Sequence, residues 1–305
     1  HKLHKVGRGH GQMCIRDSHA SDEYVYNAHN HIDGIPKFSH QDPILDLCPT
    51  CIAAKLRKQP CSHDPSRKAT AVPWQGLGID FAFTGQASKN TKRKDTYTGI
   101  NGETCYILIA DHHTSALDGV THVSKGSPLL WLRKWLDTHS PDVDDKYVVL
   151  DQGGELYNNP KVCALFEEFH YAVHPTGADS SHQNGPCECA HQSIGDALRS
   201  MLLGAHLDPR FWPHAFNHYI CVKNALPGKG NTPSAFERLH PGQRPSFSKL
   251  RTFGTRVWVR PPGRRSGRLQ PHSCKGIFLG YLPNTLKNIL WFDPLTKRIK
   301  IAYHA

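Results

Sequence analysis

At 305 residues the chain can form two or three compact units with a sizeable core, and its ten cysteines are too few for a disulfide scaffold, so the compartment reads as reducing. No apolar run approaches the ~18 residues of a membrane span, and the first residues lack the charged-then-apolar order of a signal peptide, which predicts a soluble intracellular protein without a membrane partner. The formal charge of +11 is concentrated: residues 241–305 carry 13 Lys and Arg against the single Asp293, and residues 1–240 are close to neutral, as a polyanion-binding surface requires.

Residues 1–18 have no usable period and are left unassigned. Over residues 19–60, Glu23–Ala28 reads as a helical segment, a Gly/Pro turn follows, and Ile44–Leu47 leads into Cys48-Pro49-Thr50-Cys51. Two thiolates at this spacing can chelate one tetrahedral zinc, and a region this short has too little core to fold without such help. Histidines are the expected further ligands. Residues 61–74, with Pro65 and Pro73 among Ser, Lys and Arg, read as a linker.

The next unit spans residues 75–227. In Leu77–Phe83, alternation sends Leu77, Ile79, Phe81 and Phe83 to one face of a strand and Gly78, Asp80 and Ala82 to the other, so small residues flank the Asp80 carboxylate. A basic loop over Ser88–Lys94 follows, suited equally to phosphate or to solvent. Cys105–Ala110 reads as a central strand, Leu117–Val123 as another and Pro128–Thr138 as a helix. The run Lys146–Asp151 ends at Gly153-Gly154, which presents Asp151 where a buried strand gives way to a turn. Ala164–Phe169 supplies a helix and Tyr171–His174 a short fifth strand. Cys187, Ala190, Ile194, Ala197, Leu198, Met201 and Leu202 then form one apolar helical stripe, with Pro186 suited to helix entry and Glu188 beside the stripe in the first turn. A further helix covers roughly Pro209–Leu226.

Residues 228–248 read as a second linker, rich in Pro, Gly and Ser. In the basic segment 249–305, Leu250–Val259, Gly276–Tyr281 and Ile289–Pro294 alternate or run apolar between turn residues, as in a small β-barrel. The order strand, strand, strand, helix, strand, helix, strand, helix over residues 75–227 is that of the ribonuclease-H-like fold, a mixed sheet flanked by helices.

Asp80, Asp151 and Glu188, the last two separated by 36 residues, resemble the catalytic triad of retroviral and retrotransposon integrases. Asp151-Gln152-Gly153-Gly154-Glu155-Leu156 resembles the family's second-aspartate motif, and Gln183-Asn184-Gly185-Pro186-Cys187-Glu188 its QNG-x-x-E motif. Any one acid alone reads as an ordinary solvated or dipole-matched residue. The segments LRTFG, KGIFLGY and WFDPLTKRI are similar to the domain that follows copia-type integrase cores, so the resemblance covers residues 19–305 in that family's domain order.

The resemblance implies an α/β chain: a ribonuclease-H-like integrase core, an N-terminal zinc-binding module and a C-terminal small β-barrel. His19, with 28 residues between it and Cys48, resembles a ligand of the family's His-His-Cys-Cys module, whose first histidine place is held here by Cys14. The fourth zinc ligand stays open among Cys14, His10, His29, His31 and His40. Asp80, Asp151 and Glu188 would hold two Mg²⁺ or Mn²⁺ ions, for which oxygen-only ligands are suited, with Asp80 bridging them. The implied reaction is attack of an element 3′-hydroxyl on a target phosphodiester by a polynucleotidyl transferase. Double-stranded DNA (element ends and target) and further copies of the chain are the implied partners, in the nucleus or a virus-like particle. Two departures stand at the site: Cys189 where the family has arginine, and Cys187 where it has a small aliphatic residue. A decayed or domesticated copy that only binds DNA, and a metal-dependent nuclease of the same fold, are the alternatives.

Overall fold

The computed structural model describes residues 24, 27–34, 37, 70–83, 97–124, 126, 128–151, 155–176, 185–248, 250–260, 272–282 and 287–303. Their elements fall into two compact units. The first holds β1 (Gly76–Phe83), β2 (Cys105–Asp111), β3 (Leu117–His122), α1 (Leu129–His139), β4 (Tyr147–Leu150), α2 (Pro160–Glu168), β5 (Ala172–Pro175) and α3 (Gly185–Gly204) as far as Gly195. The second holds the rest of α3, α4 (Trp212–Ala225), α5 (Ala235–Leu239) as far as Glu237, and β6 (Arg256–Val259), β7 (Cys274–Tyr281), β8 (Ile289–Asp293) and β9 (Arg298–Ala302).

The first unit has the predicted element order and builds one mixed sheet, β3-β2-β1-β4-β5. β1 runs antiparallel to β2 and parallel to β4; β2 pairs antiparallel with β3, and β4 parallel with β5. Every residue of β2 is buried, as an unbroken apolar run demands, and β2 is an interior strand, flanked by β3 and β1. The alternation expected for β1 holds for the fully buried Leu77 and Ile79, but Phe83 is 40% exposed. The pairing explains this, because β4 accompanies β1 only as far as Ile79 opposite Leu150.

Helix α1 buries Leu132, Trp135 and Leu136, and the Trp135 indole donates to Asp118 Oδ2 on β3 at 2.8 Å. Helix α2 starts one turn earlier than the apolar residues alone suggested. Pro160 stands in its first turn, and the Asn159 side chain accepts from Lys161 N at 3.1 Å. Asp111, buried at the end of β2, accepts from the backbone N–H groups of Trp74, His113 and Thr114, hydrogen bonds of the kind a buried carboxylate requires.

In the second unit the four strands form an antiparallel sheet in the order β6-β7-β8-β9. Val257, Val259, Phe278, Ile289, Trp291 and Ala302 form its buried cluster. The strand expected over Leu250–Val259 shrinks to Arg256–Val259 because Gly254, at φ +76°, turns the chain in a conformation that side chains other than hydrogen rarely adopt. Gly276 serves close approach, since a Cβ there would meet the Trp291 ring at 2.1 Å. Asp293 closes β8 by accepting from Leu295 N, Thr296 Oγ1 and Lys300 Nζ, and this holds its carboxyl down at about 2, the lysine contact being the largest cause. The predicted helix over Pro209–Leu226 is a 3₁₀ turn, Pro209–Phe211, running into α4.

Helix α4 lies on β7 through His218. Its ring stands 5.8 Å from Phe278, 5.9 Å from Phe253 and 6.4 Å from Tyr281, and neither ring nitrogen has a hydrogen-bond partner among the described residues. Among the described residues, no helix is long and apolar enough to cross a membrane.

Candidate active site

Two of the three predicted acids follow the last register pair of neighbouring parallel strands. Gly76 pairs with Tyr147, Leu77 with Val148, Gly78 with Val149 and Ile79 with Leu150, and Asp80 and Asp151 are the next residues of the two chain segments. This is the edge where β4 ends. Asp80 Oδ1 accepts from Phe81 N at 2.7 Å, and its Oδ2 lies 3.4 Å from His191 Nε2. Asp151 is exposed and accepts at 3.3 Å from the hydroxyl of Thr176, which is itself buried just beyond β5. Thr176 N in turn donates to Leu150 O at 2.9 Å, which ties the Asp151 turn to the end of β5.

Glu188 stands in the first turn of α3, where the positive end of the helix favours a carboxylate. The helix forms on the predicted stripe: Cys187, Ala190, Ile194, Ala197, Leu198, Met201 and Leu202 are all buried, and Glu188 is half-buried beside them. Cys189, next to Glu188, is exposed. Among the described residues no three His, Cys, Asp or Glu side chains gather into a metal-holding group. Glu155 lies in the turn after Asp151.

Sequence reasoning missed three residues at this site: Tyr106, Thr176 and His191. For His191 a signal existed, since it follows Glu188 by three residues and therefore shares its helix face. For Tyr106 the signal needed the β1–β2 register, which pairs it with Ala82, two residues past Asp80.

The expected zinc ligands His19, Cys48 and Cys51, with Cys14, His10 and His40, lie outside the described residues, as does the basic loop Ser88–Lys94. Of the reserve ligands, His29 sits in the 3₁₀ turn Ala28–Asn30, and His31 Nδ1 meets Glu237 at 3.0 Å. In the basic C-terminal segment, Arg256 and Trp258 point outward from β6. Lys275, opposite Trp258 on β7, lies 5.1 Å over its ring, and Trp258 stays 55% exposed.

No protein-family model matches the chain. Among curated proteins, it is 31% identical over 156 residues (49% of this chain, 11% of the relative) to the retrovirus-related Pol polyprotein from transposon TNT 1-94 of Nicotiana tabacum. It is 32% identical over 164 residues (50% of this chain, 10% of the relative) to that from transposon RE1 of Arabidopsis thaliana. With that from transposon RE2 of the same plant it shares 30% over 258 residues, 80% of this chain and 16% of the relative. The chain thus spans between 10% and 16% of the length of these relatives. A solved simian T-cell lymphotropic virus intasome, in complex with PP2A regulatory subunit B56 gamma, aligns over 77% of this chain and 81% of its own at 11% identity and TM-score 0.40, too low to bear on the reading. The matched segments, the longest covering four-fifths of the chain, make it similar to a portion of the retrovirus-related Pol polyproteins of copia-type plant transposons.

Proposed function

We propose that the chain is the integrase region of such a Pol polyprotein, a polynucleotidyl transferase that joins element DNA to target DNA on a ribonuclease-H-like core. One observation carries this reading: Asp80 and Asp151 each follow the last register pair of the parallel strands β1 and β4, in a chain similar to transposon Pol polyproteins. Two divalent cations of the Mg²⁺ type fit the donor set, because Asp80, Asp151 and Glu188 offer only anionic oxygens. Such cations, when bound, lower the pKa of an attacking hydroxyl and offset charge on the leaving oxygen. The chain's own residues then have separable tasks. Asp80 and Asp151 hold charge at one strand edge, Thr176 orients Asp151, and Glu188 brings the third carboxylate on a helix end. Incubating the protein with Mg²⁺ and a terminal-repeat DNA end tests the reading, with joined strands as the expected product.

A DNA-binding copy without catalysis is the second reading, favoured by the exposed Cys189 where the resemblance calls for a cation next to Glu188. Under either reading the partner is double-stranded DNA, the C-terminal sheet is part of a small basic barrel, and the protein works as an oligomer in the nucleus or a virus-like particle. Deleting residues 241–305, which hold 13 Lys and Arg, is expected to flatten the dependence of log affinity on log salt. Neutralising Arg256 or Lys275 singly should lower that slope by about 1 each, and an unchanged slope in both would move the contacts elsewhere.

Residues 19–60 are proposed as a zinc module closed by Cys48 and Cys51 with His19. Freshly purified protein is expected to hold one zinc per chain in that module. Chelation should release it and speed amide exchange over residues 19–58 while the β1–β5 sheet keeps its protection. Metal analysis finding no zinc would remove the module.

A further inference from the structure

Asp80 pairs with Leu108 and Ala82 with Tyr106 across β1 and β2, which sets Asp80 and Tyr106 on one face of the sheet as diagonal neighbours. Diagonal positions lie about 7–8 Å apart, too far for a short carboxylate to be held by the phenol directly. His191 spans the gap. Its Nδ1 lies 3.0 Å from the Tyr106 hydroxyl, with the two rings 5.5 Å apart, and its Nε2 lies 3.4 Å from Asp80 Oδ2. The second contact is an ion-pair approach without hydrogen-bond alignment, so the first is the stronger anchor.

The same imidazole belongs to the helix that carries Glu188. Cys187, which is fully buried, and His191 are four residues apart and attach one face of the first two turns of α3. A first helical turn has backbone N–H groups that lack partners within the helix, so its orientation depends on side-chain attachments of this kind. We propose that His191, braced by Tyr106, is a positioning residue that fixes how the first turn of α3, and with it Glu188, is set against Asp80. Its role is distinct from holding a cation, and it rests on the carboxylate reading given above. Tyr106 suits the bracing part because its ring is 4% exposed and its hydroxyl has only to turn toward Nδ1.

The test uses the whole chain without DNA, with Mn²⁺ as the probe. Binding is followed by electron paramagnetic resonance, and the exchange of the α3 amides by mass spectrometry, in the native protein and in Tyr106→Phe, His191→Ala, His191→Gln and Asp80→Asn. Tyr106→Phe removes one oxygen and keeps the buried ring. Tyr106→Phe and His191→Ala are each expected to weaken Mn²⁺ binding about tenfold or more, as partners of metal ligands commonly do, and to speed exchange in the first turn of α3. The β2 amides and the thermal midpoint should stay put, and His191→Gln should recover part of the loss.

Loss of Mn²⁺ binding in Asp80→Asn, together with native binding and native α3 exchange in both Tyr106→Phe and His191→Ala, would overturn the positioning role and leave the carboxylate reading standing. Loss of binding in His191→Ala with no effect of Tyr106→Phe on either readout would make His191 a ligand, which also overturns it. Mn²⁺ binding in Asp80→Asn equal to the native protein's, or none in the native protein, overturns the carboxylate reading and the positioning role with it.

Discussion

Asp80→Asn is expected to reduce Mg²⁺-dependent strand joining at least about a hundredfold, equivalent to about 2.7 kcal/mol of transition-state stabilisation, while the protein folds normally. Asparagine keeps the size of the side chain, and its carbonyl can still accept from Phe81 N as Asp80 Oδ1 does. What it removes is charge, at the position just past the last register pair of β1 and β4. Asp151→Asn and Glu188→Gln should be inactive to a similar degree. Glu155→Gln, in the turn after Asp151 and outside the triad, should stay within about threefold of the native rate, about 0.7 kcal/mol. DNA binding should persist in all four, since none touches the basic residues of 241–305. Native rates in Asp80→Asn would show that the assignment of the acids is wrong. If the native protein joins no strands, Cys189→Arg decides between the two readings: recovered activity would mark an integrase impaired at this position, and continued inactivity with intact DNA binding would favour a binding protein.

The elements that carry the three acids were legible in the sequence because local patterns specify them well. The α3 stripe has a helical period over sixteen residues, from Cys187 to Leu202, and the structure buries every member of it. β4 is a short apolar run stopped by glycines, so its last residue is marked on both sides. What supports the acids was not legible, because it depends on pairing between strands. That Tyr106 stands diagonal to Asp80 follows only from the offset of β2 against β1, and a shift of one residue would have sent Tyr106 to the other face. Thr176 depends in the same way on where β5 ends beside β4. The C-terminal strands illustrate a second limit. Leu250–Val259 has strand composition throughout, but Gly254 takes a positive φ and Phe253 is buried without belonging to the sheet, so composition overstated the strand by six residues.

His218 was also hidden from sequence reasoning, and its burial gives the last prediction. Unfolding should become easier as pH falls from about 6.5 to about 4, and replacing His218 by Phe should remove that part of the pH dependence. Burial against Phe253, Phe278 and Tyr281 makes the charged imidazole costly and pushes its pKa from 6.5 to about 4, and neither ring nitrogen has a hydrogen-bond partner among the described residues. Above pH 6.5 the ring is neutral in both folded and unfolded chains, so it contributes no pH dependence there. Below 6.5 the unfolded chain takes up a proton that the folded chain refuses until about pH 4, so stability falls across that window and levels off beneath it. The shift corresponds to a loss on the order of 3 kcal/mol. Because the chain has 22 histidines, only the difference between native protein and His218→Phe isolates this one. Phenylalanine fills the same aromatic surroundings without a titrating nitrogen. Amide exchange of Phe278, whose N–H donates to Thr255 O at 2.8 Å in the strand that His218 covers, reads the stability of that unit locally. Protection that drops on acidification in the native protein and holds in His218→Phe is the expected result; parallel losses in the two proteins would place the acid-sensitive group elsewhere.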